Sequence, residues 1–162
     1  LENSAEGGAI VALEAGGRKI TSQLTEGDYP PVASLFPEEA PIKAVIRRDE
    51  LEQAIKRVSL VTDRSAQIRM NFADGTLTLE AGQGNDAQAH EEMTCTFIAD
   101  EPMMIVFDSQ YLLDGLGALG TEYVRMSFTH PTKPAVITGQ EELDGDDSSD
   151  FRYLLMPIRY SA

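Results

Sequence analysis

The chain has 162 residues, with 27 Asp and Glu residues against 13 Lys and Arg residues, so its formal net charge is −14. This charge argues against a simple nucleic-acid-binding protein, because contacts to phosphates require a basic surface. The composition is that of an ordinary soluble globular chain, with no signal-peptide pattern and no apolar run near the ~18 residues needed to cross a membrane.

A single cysteine, Cys95, excludes an internal disulfide and indicates a reducing, cytoplasmic environment. We interpret Cys95 as a small core residue rather than a nucleophile, because no His or Asp partner can be argued nearby. The chain begins at Leu1 rather than at Met, within ordinary-looking sequence. This start predicts that the sequence is a piece of a longer protein.

The first part of the chain predicts a hairpin followed by a connector. Residues 9–24 form two short strand patterns around a Gly-Gly turn. Prolines then recur between residues 30 and 41, at a density that excludes a helix or a central strand. This segment therefore marks a linker or a domain boundary.

The next segment is locally basic and contains the first predicted helix. Between Lys43 and Arg69 lie seven basic and four acidic residues. This excess keeps a weak nucleic-acid role open, beside the plainer interpretation of a solvated helix face with mixed charge. Residues 43–47 predict a strand, and Asp49 predicts the N-cap of the helix, with Glu52 completing a capping box.

One apolar residue departs from the pattern of this helix. The predicted buried face consists of Leu51, Ala54, Ile55, Val58, Val61 and Thr62. At about 100° per residue, Leu60 lies roughly opposite Leu51, on the polar face. A single exposed Leu often has no role, but here a contact with another subunit is the functional alternative.

The helix is followed by a series of predicted strands. Residues 68–72 alternate apolar and polar side chains, and Asp74 and Gly75 supply a tight hairpin turn into a return strand with Leu77 and Leu79. A further strand at residues 92–99 places three apolar side chains on one face, namely Met93, Cys95 and Phe97.

The second half of the chain repeats this order. Asp108 and Ser109 offer an N-cap for a second helix, and Gly120 predicts its end. The sequence VRMSF at 124–128 echoes IRMNF at 68–72. Strands are predicted at residues 103–107, 123–128, 134–138 and 151–159. These patterns predict an α+β fold, a duplicated βαβββ unit with two helices packed on antiparallel sheets.

The sequence carries no recognisable catalytic motif. Residues 139–150 hold six acidic residues and predict a solvated, mobile loop, but they lack the terminal Glu ligand of a calcium loop. Neither His90 nor His130 has the spacing of a metal pair. We therefore predict no catalytic residue, no cofactor and no metal site. A carboxylate- or metal-dependent hydrolase that uses the acidic surplus stays open as the alternative function.

Three segments, in order, resemble one known family. Residues 153–159, YLLMPIR, are similar to the terminal strand of the bacterial DNA polymerase sliding clamp, the β subunit of DNA polymerase III. Residues 20–37 resemble the connector between its middle and last domains, and residues 107–128 resemble the second helix and following strand of its last domain. The similarity extends from about residue 18 to residue 160.

The resemblance implies a DNA-clamp fold, with residues 1–40 as the end of the middle domain plus connector and 41–162 as the third domain. It further implies a cytoplasmic DNA-replication protein that forms a homodimeric ring around duplex DNA, without sequence specificity. Such a subunit is not itself an enzyme. It confers processivity on a holoenzyme with DNA-directed DNA polymerase activity, and it binds polymerase and clamp loader subunits through their short linear motifs. As a piece without the first domain, this chain is not expected to close a ring.

The resemblance also implies the residues of three sites. The peptide-binding pocket corresponds to Pro30, Leu35, Asp108, Tyr111, Thr132, Pro134, Leu154, Met156, Pro157, Ile158 and Arg159. The subunit interface corresponds to Leu60 and Val61. The DNA-facing positions correspond to Lys56, Arg57 and Arg64. Asp108 departs from the family pattern, since many relatives carry an amide at this position.

Overall fold

The computed structural model describes residues 2–4, 7–25, 27–28, 31–62, 67–82 and 88–159. Two compact units divide the chain, Leu1–Val32 and Ala33–Ala162. Residues 33–40 of the predicted connector therefore group with the larger unit. The assignment of residues 1–40 and 41–162 to two clamp domains stays a prediction.

The smaller unit is a three-stranded antiparallel sheet. Its strands β1 (Glu2–Ser4), β2 (Gly7–Ala15) and β3 (Arg18–Gln23) follow one another in the sheet. Gly16 and Gly17 join β2 to β3 with φ angles of 55° and 75°, values that favour glycine. The predicted hairpin at residues 9–24 is therefore confirmed.

The larger unit contains both α-helices. They are α1 (Arg48–Val58) and α2 (Ser109–Gly117). Its described strands are β4 (Ile42–Arg47), β5 (Gln67–Ala73), β6 (Thr76–Ala81), β7 (Ala89–Thr94), β8 (Thr96–Ile98), β9 (Met103–Asp108), β10 (Tyr123–Phe128), β11 (Ala135–Gln140) and β12 (Asp147–Leu155). Short 3-10 turns occupy Val32–Leu35 and Ser59–Val61.

Two antiparallel sheets carry the repeat, and each half gives its first strand to the sheet of the other half. One sheet has the order β12-β11-β10-β4-β8, and the other has the order β7-β6-β5-β9. Thus β4 pairs with β10 of the second half, and β9 pairs with β5 of the first. The predicted α+β fold with two helices and antiparallel sheets is confirmed.

The core lies between the helices and the inner faces of the two sheets. Buried leucine and isoleucine side chains from α1 and α2 contact the apolar rows of the strands. The ring of Phe72 on β5 stacks on Phe97 of β8 at 5.3 Å and meets Phe128 of β10 at 5.8 Å, between ring centroids. Aromatic side chains from both sheets therefore share one core.

Helix α1 begins one residue before the predicted N-cap. It starts at Arg48, and the N-cap residue Arg47 makes no side-chain cap. Instead, the Arg48 N–H donates to Glu122 O at 3.0 Å, and its guanidinium Nε donates to Thr121 O at 2.8 Å. The capping box at Asp49 was wrong because partners distant in the chain satisfy the start of the helix.

Two helix ends and the continuity of one strand also differ from the sequence prediction. Helix α1 ends at Val58, so Leu60 and Val61 lie in a 3-10 turn, and helix α2 ends at Gly117 rather than at Gly120. The predicted strand at 92–99 is two strands in different sheets, broken at Cys95, whose N–H donates to Gly75 O at 2.9 Å. Its predicted buried face is nevertheless right.

The acidic segment is shorter than predicted, because strands β11 and β12 extend into it. Only residues 141–146 connect the two strands. The buried Gln140 side chain donates from Nε2 to Glu142 O at 2.6 Å and to Leu143 O at 2.7 Å. Arg125 Nη2 donates to Gly145 O at 2.8 Å. Contacts to the loop backbone, rather than solvent alone, therefore fix this connection.

Gly115 and Gly117 of α2 form a matched pair for testing the contact between the helix and β12. A Cβ at Gly115 would lie 2.6 Å from Cδ1 of Tyr153, whereas a Cβ at Gly117 would meet nothing within 4 Å. We expect Gly115→Ala to lower the free energy of unfolding by about 1–3 kcal/mol. Gly117→Ala should be neutral or stabilise by up to about 1 kcal/mol. Urea unfolding of both variants tests this, and equal effects would contradict it.

Candidate functional site: an apolar pocket beside an edge strand

A pocket of about 390 Å³ opens in the larger unit, beside the edge strand of the four-stranded sheet. Three segments that are distant in sequence form its walls: strand β9, the turn after β10 and the residues after β12. The lining residues are Met104, Ile105, Val106, Pro131, Thr132, Pro157, Ile158 and Arg159. Most of these side chains are apolar, with one hydroxyl and one guanidinium among them, a mixture typical of sites that bind part of a larger ligand.

The wall formed by the residues after β12 is fixed to β9 by the backbone. The Ile158 N–H donates to Val106 O at 2.8 Å, so this segment follows the open edge of β9. Strand β12 itself ends at Leu155. The prediction that the last strand continues to Arg159 was therefore wrong: Met156, Pro157 and Ile158 lie beyond it, and Pro157 cannot donate a ladder hydrogen bond.

The turn after β10 is held by a histidine that sequence reasoning did not assign to the site. The Thr132 N–H donates to His130 Nδ1 at 3.2 Å, and Thr132 Oγ1 lies 2.9 Å from the same nitrogen. The Lys133 N–H donates to His130 O at 3.0 Å. His130 is therefore a positioning residue for Thr132 at the pocket wall.

The structure brings together part of the predicted peptide site. Four of the predicted residues, Thr132, Pro157, Ile158 and Arg159, line this pocket. Its other walls were not predicted, and they come from β9 and Pro131. Met104 could have indicated the β9 wall, because it is an apolar residue at an outward-facing position of a buried strand. In the structure its side chain is 40% exposed.

The remaining predicted peptide-site residues lie outside the pocket lining. Leu35, Tyr111 and Met156 are exposed apolar side chains. Leu154 and Pro134 are half-buried. Pro30 lies outside the residues that the structure describes.

Asp108 is engaged by its own helix. Its carboxylate Oδ1 accepts from the Gln110 N–H at 2.8 Å and from the Tyr111 N–H at 3.4 Å. This is the predicted N-cap of α2, and it fixes the backbone next to the exposed Tyr111 side chain. On β12, the Arg152 guanidinium lies 4.7 Å from the ring centroid of Phe36, a cation–π contact between β12 and the connector.

The predicted interface and DNA-facing residues occupy a different part of the larger unit. Leu60 is 83% exposed, as its position off the buried face predicted, while Val61 is half-buried against the core. Lys56 pairs with Glu52, and Arg57 pairs with Glu91. Arg64 lies outside the described residues.

Two described carboxylates have a lowered pKa because each accepts hydrogen bonds from an arginine. Hydrogen bonds from Arg69 lower the pKa of Glu80, and hydrogen bonds from Arg57 lower the pKa of Glu91. A catalytic acid needs a shift in the opposite direction. Within residues that the structure describes, no three His, Cys, Asp or Glu side chains come close enough together to hold a metal ion.

Residues 33–159 match the family described as the DNA polymerase III beta subunit, C-terminal domain. The chain belongs to this family. It is 39% identical over 161 residues to the beta sliding clamp of Streptomyces coelicolor, covering 99% of this chain and 43% of that protein. It is 37% identical over 153 residues to the beta sliding clamp homolog GriR of Streptomyces muensis, covering 94% of this chain and 41% of that protein.

Solved clamp structures share the fold. The DNA polymerase III subunit beta of Pseudomonas aeruginosa superposes with a TM-score of 0.80 at 26% identity, over 93% of this chain and 40% of that chain. The sliding clamp of Bartonella birtlesii bound to griselimycin gives a TM-score of 0.82 at 26% identity, over 93% of this chain and 39% of that chain. The chain thus spans less than half the length of these family members.

No helix among its described residues is long and apolar enough to cross a membrane.

Cys95 is expected to be chemically inert in the folded chain. Burial raises the pKa of its thiol to about 11, so the reactive thiolate is scarce at neutral pH. Ellman's reagent at pH 8 should therefore react with Cys95 only after unfolding in guanidinium. A fast stoichiometric reaction of the native chain would contradict this expectation.

The pair formed by Glu80 and Arg69 should make stability depend on pH. The pKa of Glu80 is lower in the folded state than in the unfolded state. Its contribution to the free energy of unfolding is therefore fully present above the ordinary Glu pKa and is lost as the pH falls through the pKa of the folded state. Glu80→Gln should cost up to about 1 kcal/mol at pH 7 and little at pH 3. Urea titrations at both pH values test this, with the exposed Glu101→Gln as control. A cost that does not change with pH would refute the assignment.

Proposed function

We propose that the chain is part of a replicative sliding clamp, a non-catalytic processivity subunit that tethers DNA polymerase to duplex DNA in the cytoplasm. The observation that carries this proposal is the family match over residues 33–159, which includes every residue that lines the pocket. Relatives named beta sliding clamp, and clamp structures bound to griselimycin, support a ligand-docking role on this fold.

The pocket suits the side chains of an extended peptide better than a small polar metabolite. Its volume of about 390 Å³ and its apolar lining match one or two large apolar side chains, and the Arg159 guanidinium can pair with a carboxylate. The exposed apolar side chains of Leu35, Tyr111 and Met156 would extend the contact. We assign Pro30, Asp108, Pro134 and Leu154 to the same peptide site, for short linear motifs of polymerase and clamp loader subunits.

The other two sites belong to the same proposal. Leu60 and Val61 would contact the second subunit of a homodimeric ring, which fits the high exposure of Leu60. Lys56, Arg57 and Arg64 would face the encircled duplex, with weak and non-specific contacts that allow sliding. Residues 1–40 would complete the middle domain of the clamp, and residues 41–162 would form its third domain.

No observation favours the alternative of a carboxylate- or metal-dependent hydrolase. The family match and the relatives are those of sliding clamps. Among the described residues, the two carboxylates with a shifted pKa, Glu80 and Glu91, are both shifted downward by arginine partners. Such pairs are structural, because a general acid requires a carboxyl that keeps its proton near neutral pH.

The peptide site can be tested by titrating a fluorescent peptide of the Gln-Leu-x-Leu-Phe type into the chain. We expect saturable binding with a Kd of roughly 1 mM or tighter, read by anisotropy. Met156→Asp should weaken it at least about tenfold, because it places an unpaired charge beside an apolar ligand.

Leu143→Asp is the matched control, since Leu143 is also exposed but lies in the loop between β11 and β12. Its affinity should equal that of the unmodified chain. Equal weakening by both variants, or no binding at all, would refute this docking surface.

A further inference from the structure

One carboxylate occupies a position that normally holds an apolar side chain. Strand β7 is an edge of the four-stranded sheet, and its residues Ala89 and Met93 pack against the core. Glu91 lies between them in the alternation and therefore shares their face, the face covered by helix α1. The Glu91 side chain is only partly exposed there, so its charge favours a nearby cationic partner.

The partner of Glu91 is a residue of helix α1. Arg57 donates from Nε to Glu91 Oε1 and from Nη2 to Glu91 Oε2, each at 2.6 Å. This is a two-bond fork between a guanidinium and a carboxylate. The Glu91 side chain is 28% exposed, against 57% for Arg57, so the pair holds the guanidinium at the surface while its carboxylate stays partly covered.

The other described cations at and just before α1 are also paired, through single contacts rather than a two-bond fork. Lys56 and Arg48 both contact Glu52, the latter at 3.2 Å. Arg47 lies 3.3 Å from a carboxylate oxygen of Glu50 and 3.0 Å from one of Glu122. Each basic residue from Arg47 to Arg57 thus already has an anionic partner.

We propose that Glu91 weakens the contact of helix α1 with DNA by occupying the Arg57 guanidinium in place of a phosphate. This inference rests on the proposed DNA-facing role of α1. Carboxylate and phosphate bind the planar guanidinium through the same pair of N–H groups, so one excludes the other. A phosphate that displaces Glu91 would also face a partly covered, unpaired carboxylate. The contact of Arg57 with a DNA phosphate is therefore weak, as expected for a surface that moves along a duplex.

Glu91→Gln tests this proposal, because Gln keeps the size of the side chain and removes its charge. The probe is a labelled duplex of about 20 base pairs, titrated with the chain at about 50 mM salt and read by anisotropy. We expect the affinity to rise about fivefold, as for release of a surface ion pair. The dependence of log K on log salt should steepen by about one unit, since one more cation reaches a phosphate.

Glu92→Gln is the matched control, with the same change of net charge. Glu92 neighbours Glu91 in β7 but points to the opposite face of the sheet. It should change the affinity less than twofold and leave the salt slope unaltered. The double variant Arg57→Gln/Glu91→Gln should lose the gain seen in Glu91→Gln, and chemical unfolding should show that all variants are folded.

Three results would overturn the inference. The first is an equal gain in duplex affinity from Glu91→Gln and Glu92→Gln, which would indicate an effect of net charge alone. The second is a gain in affinity that persists in the double variant Arg57→Gln/Glu91→Gln. The third is no duplex binding by the folded Glu91→Gln chain at low salt. In the last case the pair of Glu91 and Arg57 has only a structural role. Peptide binding in the separate titration would still support the clamp proposal, so the two failures are distinguishable.

Discussion

The larger unit depends on the exchange of strands between its two halves. Strand β4 completes the sheet of the second half beside β10, and β9 completes the sheet of the first half beside β5. The aromatic contact of Phe72 with Phe97 and Phe128 joins the same two sheets, so the repeat forms one core rather than two.

The pocket follows directly from this exchange. Because β9 closes the first half's sheet, its outer edge is left open, and the segment after β12 bonds to it at Val106. The pocket lies in the angle between these backbones and the turn at Thr132. Its walls are therefore set by sheet topology.

Local sequence patterns predicted most helices and strands, but they did not predict which elements contact each other. Alternation found β5 and the hairpin turn at Asp74, and the N-cap of α2 was visible at Asp108. The start of α1 was missed because Glu122, distant in sequence, accepts its first hydrogen bond. Strand exchange and the β9 wall were likewise invisible, since periodicity reports which face is buried and not which strand lies next to it. The peptide-site assignments came from the family resemblance, and four of the assigned residues line the pocket.

The exchanged strands also constrain how the chain folds during synthesis. Strand β4 ends at Arg47, and its partner strand β10 begins only at Tyr123. In a nascent chain, β4 therefore stays unpaired on this side until β10 has been synthesised. Pairings of such sequence separation make folding slow, because a long loop must close before the contact is gained. A nascent chain that has left the ribosome only as far as α2 would therefore expose β4 with β8 as its sole available sheet neighbour. Such a nascent chain would be an early target for chaperones or proteases.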